Sequence, residues 1–350
     1  MSGNAEMRVP NFHIKINGAS MADNLLVAVS EVAVEDEINL PGMFSIKLNT
    51  VNFETNEWQG MDLKTIKPGD EIKVAMGLDQ PQDMITGEVT ALEAVFGEQC
   101  YLEIRGYDRM HRLRFGTKRR SFKDMKDSDI ATSIAGEAGL SAEAEDTGTV
   151  QPYLFQNDQS NYEFLLERAR RIGYEMLVND KKFMFRKSQE GKAKVLTLEY
   201  ALDFRDFTAR LKVLTEGSQV EVRGWDVKTK KEISGKAQSG SENSLMSGQD
   251  SGFKISESFG DSDTALPFET VVDATEAAAI AKAQYNLLLK EFMNGEGSCL
   301  GNPQIRAGNT IEIKGIGDRF SGIYYVISSS HIMNRTDGYM TKFKVKRTGI

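Results

Sequence analysis

Short runs of alternating apolar and polar residues dominate the first hundred positions: FHIKING, LLVAVSEVAVEDEI, GMFSIKLNTV, DEIKVAMGL, MITGEVTALEAVF and CYLEIRGYD, separated by Gly, Asn, Asp or Pro. Period-two runs at this spacing predict a barrel or sandwich between Phe12 and Asp108. Within it, IKPGDEIKV (Ile66 to Val74) specifies a tight turn and then a half-buried strand. IRAGNTIEI (Ile305 to Ile313) repeats the device near the other end of the chain. The match continues downstream, where DMITGEVTALEAVF (Asp83 to Phe96) and RFSGIYYVISSSHI (Arg319 to Ile332) each place a glycine, Gly87 and Gly322, before alternating strand residues. Two similar β units therefore bracket the chain.

Between them the period changes. KDSDIATSIAGEAGL (Lys126 to Leu140) carries Ile130, Ile134 and Ala138 at four-residue steps and ends on Gly139, a short capped helix. In SNYEFLLERARRIGYE, Ser160 and Glu163 form a capping box, Tyr162, Leu165, Ala169 and Ile172 form one face, and Gly173 terminates. YEMLVNDKKFMFRK then reads as a hairpin turning at Asn179-Asp180. Strand character returns from Val195 to Val227. Ser234 to Asp263 is poor in large apolar residues and rich in Ser and Gly, which predicts a mobile or weakly structured connection. A helix follows from Asp273 to Met293, capped by Asp273 and Glu276, with an Ala-rich body suited to close packing on a sheet. The expected division is a first β-barrel domain (1–115), an α+β domain (116–194), returning strands (195–233), the Ser/Gly connection (234–265), and a helix with a second β-barrel domain (266–350).

Composition narrows the possibilities. A chain of 350 residues suffices for two or three domains, and a formal net charge of −8 argues against a protein whose main work is gripping DNA or an anionic membrane. No apolar run is long enough to cross a bilayer, and MSGNAEMRVPNF lacks the pattern of a secretory signal, so folding in the cytoplasm is expected. Cys100 and Cys299 are expected as reduced thiols.

Chemistry-bearing motifs are weak. His13, His111 and His331 stand in separate segments, each without a second ligand at metal spacing, and are expected to be core or hydrogen-bonded histidines. GxSxG, HExxH, Walker A and CxxC patterns are missing from the sequence. NGEGSCLG (Asn294 to Gly301) lacks phosphate-loop spacing and is expected to be a flexible connection. RGYDRMHRLRFGTKRR is the one dense basic segment. It reads first as a solvated strand end and loop, and second as a contact for an acidic partner or nucleic acid. Nothing specific supports an enzyme, a cofactor or a metal.

The ordered set LPGMFSIKL, GDEIKV, ITGEVTALEAVFGEQCYLEIRGYDRMHRL, DSDIATSIAGEAGL, QNDQSNYEFLLERARRIGYEMLVNDKKFMFRK, VRGWDVKTKKEISGKA and the tail from GNPQIRAGNT onward resembles the phage late-control protein D family. That family is the baseplate hub of contractile tails and is similar to the hub part of VgrG proteins. The resemblance spans nearly the whole chain except the Ser/Gly connection. It implies a mainly β fold with an α+β insertion: two related β-barrel (tail-tube-like) domains plus a small α+β domain. It also implies a homotrimer in which the doubled unit lets a threefold object imitate sixfold symmetry.

On this resemblance a hexameric tail-tube protein would sit on one side and a trimeric spike on the other. Other baseplate proteins would surround the hub, and DNA or cargo would pass through the channel without specific binding, with no membrane insertion. The chain ends at KVKRTGI without spike repeats, so a separate spike protein is expected. Acidic channel walls would keep DNA from adhering. The protein would be made in the bacterial cytoplasm and built into a phage tail or injection-particle baseplate. Matched positions Gly69, Asp70, Gly87, Gly308, Asn309 and Gly322 would shape the barrels, and Ser160, Tyr162, Phe164, Leu165 and Gly173 the α+β domain, none catalytic. Two other classes are a tail-associated peptidoglycan hydrolase, which needs a cleft with spaced carboxylates or a metal, and a receptor- or carbohydrate-binding module. For the latter, Trp58 and Trp225 give no aromatic platform.

Overall fold

The computed structural model describes residues 9–49, 51–52, 57–58, 66–97, 100–260, 262–266 and 270–350; the first eight residues of the opening read above for a leader lie outside the described residues, as does the side chain of Trp58. The first unit contains β1 (Pro10–Ile16), a short helix α1 (Asp23–Ala28), β2 (Val29–Glu37), β3 (Met43–Asn49), β4 (Glu71–Leu78), β5 (Gln82–Val95) and β6 (Tyr101–Asp108). They pair in the order β1-β4-β5-β6-β3-β2. The apolar positions of their alternation, Ile14 of β1, Val32 and Val34 of β2, Phe44 and Ile46 of β3, and Ile72 and Val74 of β4, meet in one buried core. Because β1 and β2 lie at opposite ends of that strand order yet share a core, the sheet curls on itself as a barrel does.

The α+β unit comprises β7 (Lys118–Lys126), α2 (Asp127–Glu137), β8 (Ser141–Ala144), β9 (Val150–Gln159), α3 (Asn161–Arg171), β10 (Tyr174–Asn179) and β11 (Lys182–Lys187). The capping box forms: Ser160 Oγ accepts from Glu163 N at 3.1 Å while the Glu163 carboxylate accepts from Ser160 N at 2.8 Å. Gly173 follows at φ +70°, and the hairpin turns at Asp180 with φ +53°. Phe164, Leu165 and Ala169 of α3 pack on Ile130 and Ile134 of α2 and on Phe183 and Phe185 of β11.

The second unit contains β12 (Leu196–Glu199), β13 (Phe204–Leu211), β14 (Val220–Asp226), β15 (Lys231–Ala237), α4 (Gly252–Ser256), α5 (Ala274–Leu289), β16 (Met293–Leu300), β17 (Thr310–Lys314), β18 (Gly322–Asn334) and β19 (Gly338–Arg347). Its strands β13-β16-β19-β18-β17 repeat the connectivity of β2-β3-β6-β5-β4, in the same chain order and all antiparallel. The repeat extends to irregularities. The bulge between Val29 and Glu31 against β3 recurs between Phe204 and Asp206 against β16, and the bulge between Val89 and Ala91 against β6 recurs between Val326 and Ser328 against β19. An α5 layer over β14 and β15 is inserted between the first two strands of this second copy. Gly235 makes the approach possible, since a Cβ there would lie 2.2 Å from the Ala277 carbonyl carbon.

Three expectations change. The glycines Gly87 and Gly322 are not counterparts: Gly87 faces Ile72 across β4-β5, and the position equivalent to it, facing Ile311, is Tyr324, while Gly322 faces Ile313. The second copy reaches its turn by a connection two residues shorter, so aligning glycines shifts the register by two. NGEGSCLG is not a flexible connection but most of β16, a central strand between β13 and β19. Its glycines leave space for an aromatic ring, because Cβ atoms at Gly295 and Gly297 would meet Phe207 at 2.7 and 2.9 Å.

The Ser/Gly segment, finally, is anchored. Ser234 to Ala237 belong to β15, Met246 and Phe253 are buried, and Gln249 N and Asp250 N donate to Ile350 O at 2.9 and 3.0 Å. Two apolar side chains and a backbone ladder to the last residue suffice, and neither shows in average hydropathy.

Candidate assembly interface

The two units join through β18. Its N-terminal end pairs with β17, but from Ser328 to Asn334 the same edge pairs with Glu37 to Glu31 of β2, making one continuous 13-stranded sheet. The turn that frees this edge is the doubled device. Gly69 N donates to Val89 O and Val89 N to Asp70 O, at 2.8 and 2.9 Å; Gly308 N donates to Val326 O and Val326 N to Asn309 O, both at 2.9 Å. Both glycines are left-handed, φ +92° and +83°, the geometry that glycine adopts without strain. Each turn closes the ladder to the short strand and leaves the rest of the long strand, Ala91 onward or Ser328 onward, with an edge for another partner.

At the joint that edge is sealed by polar groups. The Asp36 carboxylate accepts from Arg306 Nε, from Ser329 Oγ and from Ala307 N. His331 is fully buried beside it. Its Nε2 contacts Ile305 O at 2.9 Å and Ser329 Oγ at 3.2 Å, and its Nδ1 contacts Tyr339 OH at 2.9 Å and Thr341 Oγ1 at 3.0 Å. A neutral ring donating from Nε2 to the carbonyl satisfies every partner. Burial pushes its pKa down from 6.5 to about 4. The reading of His331 as a hydrogen-bonded core histidine describes this site; its place at the joint was not foreseen. The inward Ser329 and His331 of SSSHI, polar residues on the core side of an alternating strand, were the signal.

The solvent face of the continuous sheet is polar and mixed in sign. Across the joint run Asp206, Glu296, Lys344 and Lys342 of the second unit and Glu35 and Glu37 of the first, over a hollow of about 730 Å³. Farther along, Glu31, Lys47, Glu103 and Arg105 alternate, with Lys47 Nζ 2.8 Å from Glu31 and Arg105 Nη2 2.8 Å from Glu103. Both signs are interleaved by strand register, so this face is mixed in charge and not uniformly acidic.

The residues singled out from sequence do not converge on one site. Asp70 supports its turn, accepting from Asn17 Nδ2 at 3.0 Å and Lys67 N at 2.9 Å, and the Asn17 bond is the main reason its pKa is lowered. Asn309 instead donates its amide to Gln304 O. A Cβ at Gly87 would strike Tyr107 O at 2.4 Å, and one at Gly322 the Arg347 guanidinium at 2.5 Å. Tyr162 OH donates to Asn39 O at 2.8 Å and Asn39 Oδ1 accepts from Met176 N at 2.8 Å, which latches the α+β unit onto the β2-β3 connection. Ser160, Phe164 and Leu165 build α3 and its core, and Gly173 lets α5 approach, its Cβ position lying 3.2 Å from Ala283 Cβ. In the basic segment, Arg112 and His111 close on Glu88 at 3.0 and 2.8 Å. Burial disfavours the Glu88 carboxylate, but Arg112 and His111 outweigh it and hold its pKa below the usual range. Those charges are spent internally.

The duplicated curled sheet with its α+β insertion is a fold seen in phage tail and injection-machine proteins. A 43 kDa tail protein of prophage MuSo2 from Shewanella oneidensis shares it at TM-score 0.70 and 14% identity, covering 97% of this chain and 98% of that one. A tail protein from Neisseria meningitidis MC58 matches at TM-score 0.66 and 11% identity over 97% of each chain. An E. coli component of the type VI secretion system, described as structurally similar to T4 bacteriophage tail proteins gp27 and gp5, matches at TM-score 0.61 and 12% identity over 96% of this chain and 77% of its own. The family model described as Alg8 N-terminal domain matches residues 6–335, and the chain belongs to that family. No curated protein matches the sequence.

The assignment to the late-control protein D family is thereby corrected. The segments that carried it are alternations, turns and a capped helix that a duplicated barrel requires of any sequence, so they specify architecture and not lineage.

Proposed function

We propose that this protein is a non-catalytic baseplate hub of a contractile tail or injection particle, a trimeric adaptor between a hexameric tail tube and a separate trimeric spike. The observation that carries the reading is the duplication of one β unit, with two bulges at matching places, within a single chain. Three copies of a chain with two equivalent units present six equivalent surfaces while keeping threefold symmetry, which is the matching problem at a tube-to-spike junction. The tail-protein fold supports the same setting, since solved structures that share it include phage tail proteins and a type VI secretion component. In this role the protein is built into the particle with other baseplate proteins. The mixed-sign face of the continuous sheet suits a surface past which DNA or cargo moves without specific binding.

Light scattering of the purified protein, alone and with the candidate spike, tests the proposal. A trimer in either condition is the expected result, followed by co-sedimentation with tube rings. A chain that stays monomeric in both conditions overturns it.

A further inference from the structure

The hairpin of β14 and β15 belongs to the second copy alone, where it is inserted with α5 between the first two strands. Its inner face is core: Val220, Val222 and Ala237 share one buried cluster with Ala277, Ile280 and Ala281 of α5. Its outer face is neutralised, with Glu221 2.9 Å from Arg223 and 3.4 Å from Lys236, and Arg223 3.7 Å from Glu232. The tip follows neither pattern. Trp225 is 51% exposed, and Val227, at 81%, is the most exposed large apolar side chain among the described residues. Lys228, Lys230 and Lys231 stand beside them in the chain, all exposed and, among the described residues, in no ion pair. We propose that this tip is an interfacial anchor for an anionic lipid bilayer, with Trp225 and Val227 entering the headgroup region and the three lysines meeting lipid phosphates.

The turn is built to present these residues. The Asp226 carboxylate accepts from Lys228 N at 2.8 Å, Thr229 N at 3.3 Å and Thr229 Oγ1 at 2.5 Å, so this acid is occupied by its own turn. Lys230 takes the left-handed conformation, φ +54°, and the chain returns with Lys231 opposite Asp226 and Glu232 opposite Trp225. Val227 to Lys231 holds three lysines and no acid, a local charge of +3 in a chain of −8. No side chain of this stretch belongs to a buried cluster, so packing does not account for a valine there.

A bilayer is the occupant because chemistry and shape agree on it. An indole settles at the headgroup level, where its ring is in apolar surroundings and its N–H is wet. Lysines beside it gain from the negative surface potential of anionic lipid, and their stems lie along the apolar boundary. A protein partner needs on the order of 800 Å² of complementary surface on each side. A four-residue turn offers no such area, whereas a fluid surface accepts a narrow tip. The net charge of −8 argues against the whole chain lying on an anionic membrane, and so confines the contact to the place where the sign reverses. The contact is interfacial: among the described residues no helix is long and apolar enough to cross a membrane. The inference goes beyond the adaptor reading and does not need a trimer; three tips on one particle would add avidity.

The test is co-sedimentation of the full chain with phosphatidylcholine vesicles, with and without phosphatidylglycerol. Binding should require phosphatidylglycerol and weaken as salt rises. Each lysine contributes roughly fivefold, so K228E/K230E/K231E should weaken binding about a hundredfold or more. W225A and V227D should each cost about tenfold. K123E, which reverses an exposed lysine of the α+β unit, should leave binding within about twofold. On a W58F background Trp225 is the only tryptophan, and its emission should shift to the blue and resist an aqueous quencher only with phosphatidylglycerol present. Because the tip lends no side chain to the core, an unchanged urea midpoint separates lost contact from lost fold. No sedimentation with anionic vesicles, or sedimentation that the tip variants leave unchanged, overturns the anchor. So does a parent protein that ignores vesicles while its tip variants lose co-sedimentation with tube rings, which would assign the tip to a protein contact. The adaptor reading is judged separately, by light scattering.

Discussion

Replacing His331 by Gln keeps a polar side chain at the joint but removes a group whose protonation between pH 4 and 6.5 is tied to folding. Burial holds the folded pKa near 4, against 6.5 unperturbed. Between those values the unfolded chain binds a proton that the folded chain does not, so the His331 contribution is complete above pH 6.5 and is lost as pH falls toward 4. At about 1.4 kcal/mol per pH unit, roughly 3 kcal/mol disappears across that window. At pH 7.5 the Gln variant should be less stable by about 1–3 kcal/mol, because Tyr339 OH, Thr341 Oγ1 or the Ile305 carbonyl loses a partner. At pH 4.5 the gap should close or reverse.

The assay is urea unfolding of both proteins at half-unit steps from pH 4 to 8, read as the difference between them. Differencing removes the opposite trend of Asp108, whose pKa burial raises to about 7, so that its contribution is present below 3.8 and fades as pH rises to 7. A difference that stays constant from pH 8 to pH 4 refutes the argument.

Three further changes follow from the geometry. Asp36→Ala leaves Arg306, Ser329 and Ala307 N without their shared acceptor and should cost about 2–4 kcal/mol, with faster hydrogen exchange confined first to 31–37 and 328–334. Ser160→Ala removes the N-cap of α3 and should cost about 1 kcal/mol in thermal or urea unfolding; no change would mean that the capping box is idle. Gly69→Ala and Gly308→Ala each force a left-handed residue, about 1–2 kcal/mol, but Gly308→Ala should cost more. A Cβ there lies 3.2 Å from Leu177 Cδ1 and 2.8 Å from the flexible end of Arg186, against open space at Gly69, and equal costs would mean that both neighbours give way freely.

Local patterning carried much of the fold. Alternation located the strands of the first unit, and the capping box with Gly173 bounded α3, because each is enforced within a few residues. The doubled turn was legible for the same reason: a left-handed residue must precede each short strand, and Gly69 and Gly308 mark it. What stayed hidden is set by distant partners. The β18-β2 pairing joins residues almost three hundred positions apart and leaves no local trace beyond a buried Ser329 and His331. Gly295 and Gly297 look like loop residues until Phe207 is laid across them, and Gly322 looks like the twin of Gly87 until the shorter connection is counted.

The two copies differ at the positions that form the internal joint, and the direction of the difference is informative. At the internal joint the positions are Asp36, Arg306, Ser329 and His331. Their counterparts by strand register are Leu211, Lys67, Leu92 and Ala94. Two units of one chain are held at high effective concentration, so their joint need contribute little to association and can be built from a satisfied polar network that fixes register. A joint between separate chains must first overcome the loss of translational and rotational freedom, a cost that a joint within one chain does not carry. The duplicated backbone thus carries a polar seam at the joint where the chain itself supplies proximity.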